Sequence, residues 1–198
     1  MNPEAMKILP NPNSAQPHSL ERKTAMTDAQ IIENEFVKSL ESQLKVSNNT
    51  AGQLAIISGD SSLDQSLVSR LQDSGVLVLR SQNEALSKTL EDGPLADAIA
   101  WAVKEAGVTK LTLVGHSRAA TIEGSDQATG LVARARLHNE RLAASKLKLK
   151  DDVARFVNNS QISSLISENG LKVDALFYLR ESDSFLTYDH GAEKFSAV

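Results

Sequence analysis

The chain has 198 residues, 41% of them hydrophobic, and a formal net charge of −4. That length suits one domain with a substantial core, and the mild acidity offers no electrostatic footprint for nucleic acid or an anionic membrane. Cysteine is absent, which excludes disulfides, thiolate nucleophiles, iron–sulfur clusters and cysteine-ligated zinc together.

Residues 1–27 collect most of the prolines, with Asn and Ser and no periodicity. This composition predicts a flexible N-terminal tail, or an arm draped over a neighbouring subunit, ahead of a single domain over 28–198. The first residues lack the basic-then-apolar layout of a secretion signal, and no apolar run approaches the ~20 residues that cross a bilayer, so a cytoplasmic location is expected. Thr27 and Asp28 can cap a helix over 28–45, whose apolar positions Ile31, Ile32, Phe36, Leu40 and Leu44 recur at helical spacing.

Strands and helices then alternate. The run 53-QLAIIS-58 reads as a strand buried on both faces. A helix over 62–75 closes at Gly75, and 76-VLVLR-80 is a second strand. Pro94 opens a helix that ends at Gly107, leading into the third strand 109-TKLTLVG-115. Trp101 on that helix is expected to face the core. A long helical tract follows, with breaks expected near Lys150 and Ser160, and runs to Gly170. The run 141-RLAASKLKLK-150 reads as a solvated basic face with no interleaved aromatics. Two strands, 171-LKVDALFYL-179 and 184-SFLTY-188, close the chain around the turn 180-RESD-183. The expected fold is therefore α/β: a mostly parallel sheet of about four strands plus an antiparallel edge strand, flanked by helices. In such sheets ligands bind beyond the carboxyl ends of the strands, which points to 58-SGDSS-62 and 115-GHSRA-119.

The second stretch differs from the Gly-x-Ser-x-Gly nucleophile elbow only in its last residue, so Ser117 is a candidate hydrolase nucleophile. Its general base would have to be His138, within the helical tract, or His190, eight residues from the C-terminus in an end expected to fray. Neither is well placed, and 121-TIEGSDQATG-130 is a poor start for the helix that must follow an elbow.

Taken in order, these elements resemble the β-class carbonic anhydrases over about residues 28–188. That family has a strand ending in Cys-x-Asp-x-Arg, a second ending in an Arg-Asn turn, and a third ending in Gly-His-x-x-Cys-Gly. Here the corresponding ends are 58-SGDSS-62, Leu79-Arg80-Ser81 and 115-GHSRAA-120. The resemblance implies a β-carbonic-anhydrase fold, a homodimer or multiple of dimers with the segment 28–45 reaching toward the partner, and zinc held by two cysteines and a histidine. Carried over position by position, the cysteines become Ser58 and Ala119, the histidine is His116, the aspartate is Asp60, and the arginine paired with that aspartate becomes Ser62.

A catalytic zinc site needs about three N, S or O ligands and an open position for water. One imidazole and one carboxylate fall short, and without the ion nothing brings the pKa of water from ~15.7 toward ~7. Zinc is thus expected to be absent and carbonate dehydratase activity lost. Arg118 is the nearest cation in sequence for Asp60, so an Asp60–Arg118 pair is expected, or a small anion such as bicarbonate, phosphate or sulfate on Arg118 and His116. The alternatives are a metalloenzyme using another metal on His116 and Asp60, and the serine hydrolase. Each residue also has an ordinary role open to it: Asp60 as a helix cap, His116 as a buried strand end, Arg118 as a solvated surface group, Ser58 and Ala119 as small turn residues.

Overall fold

The computed structural model describes residues 34–47, 52–58, 65–81, 93–117, 119 and 130–198. The expected N-terminal tail, Thr27 and Asp28, Asp60, Ser62 and Arg118 lie outside them.

The first described helix, α1 (Glu35–Ser47), covers the second part of the helix expected over 28–45, and residues 28–33 lie outside the described residues. Asn34 stands outside it and accepts a hydrogen bond from Phe36 N at 2.9 Å, so the cap is an asparagine inside the expected helix. Asn34 also donates to the Pro94 carbonyl at 2.6 Å, tying this cap to the next helix but one. Then come β1 (Gln53–Ser58), α2 (Gln65–Asp73), β2 (Leu77–Ser81), α3 (Pro94–Lys104) and β3 (Lys110–His116). Pro94 sits in the first turn of α3, where its missing N–H costs nothing. Trp101 is half-buried and packs against the core edge.

The helical tract resolves into α4 (Leu131–Asn158) and α5 (Ser160–Asn169). The break expected near Lys150 is not there. Lys148 Nζ meets the buried Asp152 carboxylate at 2.8 Å, one turn on, and carries α4 through that point. The chain turns only at Asn159, whose extended backbone ends α4 and whose side chain caps α5 by accepting from Gln161 N and Ile162 N.

The sheet has the order β2-β1-β3-β4-β5-β6, with β4 (Lys172–Leu179), β5 (Ser184–Asp189) and β6 (Lys194–Ala197) at its end. The four strands β2, β1, β3 and β4 run parallel, and β5 and β6 join antiparallel. The parallel strands are apolar on both sides because both faces are covered. Leu54, Ile56, Leu79, Leu111, Leu113 and Phe177 meet α1, α3, α4 and α5 in the larger core. Ala55, Ile57, Val78, Val114 and Tyr178 pack on Leu67 and Val68 of α2 in the smaller one. No helix among the described residues is long and apolar enough to cross a membrane.

Two features were not expected. The segment after His190 does not fray: it forms β6, which pairs Phe195 with Tyr188 and Ser196 with Thr187. The basic run is not simply a wet face either. Lys146 Nζ lies 5.8 and 5.3 Å from the ring centroids of Phe177 and Phe195, while Lys150 Nζ lies 5.6 Å from that of Tyr188 and donates to the Glu193 carbonyl at 2.9 Å. Both ammonium groups hold the closing strands against α4 by cation–π attraction. At the opposite edge, the Gln43 side chain takes the place of a neighbouring strand. Its Oε1 accepts from Val78 N and its Nε2 donates to the Val78 carbonyl, each at 2.8 Å.

Candidate functional site

The carboxyl ends of β1 and β3 lie side by side, with Ile57 in register with Val114. Ser58 closes β1 and His116 closes β3, so the fold brings together the two stretches singled out in the sequence. Strand alternation sends successive side chains to opposite faces. Gly115 faces α4, where a Cβ would stand 3.2 Å from the Leu149 side chain. His116 therefore turns to the α2 face beside its register partner Tyr178. The imidazole is only 3% exposed.

Beyond the strand the chain folds back sharply. Ala119 N donates to the His116 carbonyl at 3.0 Å, and Ser117 N extends the ladder to the Tyr178 carbonyl at 3.0 Å. Ala119 is half-buried. The Ser117 side chain is 2% exposed. Its hydroxyl donates to Glu181 Oε2 at 2.7 Å and accepts from Arg180 N at 3.3 Å. No histidine is among these partners, and His138 and His190 are both exposed. Among the described residues the Ser117 hydroxyl thus meets a carboxylate and a backbone amide and no histidine, and it joins the β3 tip to the β4–β5 turn.

The β4–β5 turn is fastened on its other side as well. Asp183, at a left-handed φ of 48°, receives Arg70 Nη1 of α2 at 2.7 Å and the Tyr178 hydroxyl at 2.9 Å. These two hydrogen bonds, Arg70 first, hold its carboxyl below the usual carboxylate range. Residues 180–183 therefore strap the β3 tip to α2. Sequence reading missed Glu181 and Arg180 because they lie 64 and 63 positions from Ser117. The signal that could have found them is register: pairing His116 with Tyr178 puts the turn after β4 beside Ser117.

The fold of this sheet raises the question of zinc. At the positions the sequence resemblance marks for zinc ligands, Ser58 offers a hydroxyl, Ala119 a methyl and His116 a nitrogen donor. Among the described residues no group of three or more His, Cys, Asp or Glu could hold a metal ion. These residues do not fit the ion.

No protein-family model matches the chain, and no curated protein matches it. Solved structures do. The β-carbonic anhydrase CcaA is 17% identical with a TM-score of 0.53, over 86% of this chain and 88% of that one. A β-carbonic anhydrase of the filamentous ascomycete Sordaria macrospora, described as tetrameric, is 20% identical with a TM-score of 0.46, over 80% and 94%. The β-carbonic anhydrase CafA of Aspergillus fumigatus is 17% identical with a TM-score of 0.48, over 82% and 90%. The likeness to CcaA, together with the sheet order and the helices on both its faces, gives the chain a β-carbonic-anhydrase-like α/β fold.

Proposed function

We propose that this chain is a carbonic-anhydrase-like protein that works without zinc and without carbonate dehydratase activity, binding a small anion or metabolite or serving within an assembly. One observation carries the reading: at the β3 tip the position matching the family's second thiolate is Ala119, half-buried beside the buried His116. A methyl donates nothing to a metal, and Ser58 would bind one only as an alkoxide. His116 with Arg118 and Asp60 is the proposed anion-binding set, and bicarbonate, phosphate or sulfate has the charge and size to bridge an imidazole and a guanidinium. A homodimer or multiple of dimers in the cytoplasm is part of the same reading.

The test begins with metal analysis of protein prepared in excess zinc, beside a stopped-flow CO2 hydration assay. Substoichiometric zinc and hydration at the buffer rate are expected. Ser58→Cys with Ala119→Cys restores a Cys2His donor set and should raise zinc to about one ion per chain. Thermal stabilisation by phosphate or bicarbonate, lost in His116→Ala and Arg118→Ala, would support the binder. Stoichiometric metal together with rapid bicarbonate formation by the unaltered chain would overturn the proposal.

A further inference from the structure

Successive turns of α4 pass along the end of β3. Leu149 faces Gly115, whose added Cβ would meet it at 3.2 Å, and one turn earlier Ser145 Oγ donates to the Ser117 carbonyl at 3.4 Å. Four helical residues rise about 6 Å and two strand residues about 6.6 Å, so helix and strand keep step in opposite directions. Arg141 is the next turn of the helix. It stands one step beyond Ser117, where the chain has already turned back and Ala119 N has returned to the His116 carbonyl at 3.0 Å. Leu149, Ser145 and Arg141 together span only about 80° of the helix surface. Helical side chains lean toward the N-terminus of their helix, so Arg141 leans past the carboxyl end of β3.

Arg141 is half-buried, as are Leu142 and Ala144 in the same turn. Its Nε is enclosed and has no hydrogen-bond partner among the described residues. An enclosed donor on a charged group gives up its hydration and receives nothing in exchange. A guanidinium cannot escape that cost by losing its proton. Two carboxylates are turned elsewhere: Glu140, its neighbour in sequence, accepts from Arg136 Nε at 2.8 Å, and Glu181, at the β3 tip, accepts from the Ser117 hydroxyl at 2.7 Å. The net charge of −4 supplies no general field to draw anions, so whatever answers this nitrogen must be held locally.

We propose that Arg141 is the guanidinium that holds a small oxyanion at the β3 tip, with Nε and a terminal nitrogen donating side by side to two of its oxygens. The inference rests on the anion-binding part of the function proposed above and deepens it, because it brings the cation from α4 and not from the residues that follow His116. Phosphate, sulfate, bicarbonate and small carboxylates all present the required pair of oxygens. Chloride, a single atom, does not. Lysine at this position would carry the charge as a point and could not make the paired contact.

The test is a phosphate titration of the full chain at constant ionic strength, balanced with chloride and read as the thermal midpoint. The unaltered chain should show a saturable rise, and chloride alone should give none. Arg141→Lys should raise the apparent dissociation constant about tenfold, and Arg141→Met should remove the response. In buffer without oxyanion, Arg141→Met should be at least as stable as the unaltered chain, since it keeps the length of the side chain and removes an uncompensated charge. An arginine with a purely structural role would lose stability there. The proposal is overturned if phosphate acts no better than chloride, if Arg141→Met keeps the phosphate response, or if Arg141→Met lowers the midpoint in anion-free buffer. A response kept in Arg141→Met but lost in His116→Ala sinks this inference and leaves the proposed function standing, which zinc content and hydration rate decide on their own.

Discussion

Gly115 and Ser117 flank the buried His116, and both are fixed by contacts from distant parts of the chain. A Cβ at Gly115 would stand 3.2 Å from Leu149 Cβ and Cδ2 and 3.3 Å from Cδ1. Gly115→Ala is expected to lower stability by about 1–3 kcal/mol in urea denaturation. The same change in a Leu149→Ala background should cost less, since that removes the Cδ1 and Cδ2 contacts and leaves only the one to Cβ. Ser117→Ala removes one bond each from Glu181 and the Arg180 N–H and should cost about 1–3 kcal/mol, read as a lower urea midpoint. Sequence pattern placed these residues correctly at a strand end. It could not show that the hydroxyl is occupied, because its carboxylate partner enters from another strand's turn, and local patterning carries no record of such a neighbour.

At the scale of elements, the parallel strands were legible because burial on both faces leaves unbroken apolar runs such as Leu54–Ile57 and Val76–Leu79. The α4–α5 junction was nearly so: Asn159 lies one position before the expected break at Ser160. Asn159→Ala should cost about 1 kcal/mol of stability, measured by thermal or urea unfolding, since its side chain accepts from Gln161 N and Ile162 N at 3.1 and 3.2 Å. The break at Asn34 was not legible, because its side chain is held by a bond to the Pro94 carbonyl, 60 positions away, while the expected caps Thr27 and Asp28 lie outside the described residues. The last strand was missed for a different reason. Lys194–Ala197 is too short to show alternation, and what holds it is Lys146 and Lys150, some forty residues earlier, against Phe195, Tyr188 and the Glu193 carbonyl.

For the molecule as a whole, two titrating groups bound the range of stability. The Asp183 carboxyl is held low by Arg70 and then by Tyr178. Its contribution is present above the ordinary carboxylate range and is lost as pH falls through the folded value. The Tyr188 hydroxyl is pushed up by burial first, then by Glu193 and Asp189. Its contribution is present below about pH 10 and is lost as pH rises through the folded value. Urea midpoints across pH should therefore fall at both ends, with Asp183→Asn flattening the acid limb and Tyr188→Phe the alkaline one. The two margins of the sheet also differ in kind. Gln43 bolts its amide onto Val78 at one margin, whereas the outer side of β6 carries no strand among the described residues. Growth of a sheet into a fibril requires adhesive margins at both sides of every unit. With one side stoppered by a side chain, joining through β6 would end at a pair of molecules instead of propagating.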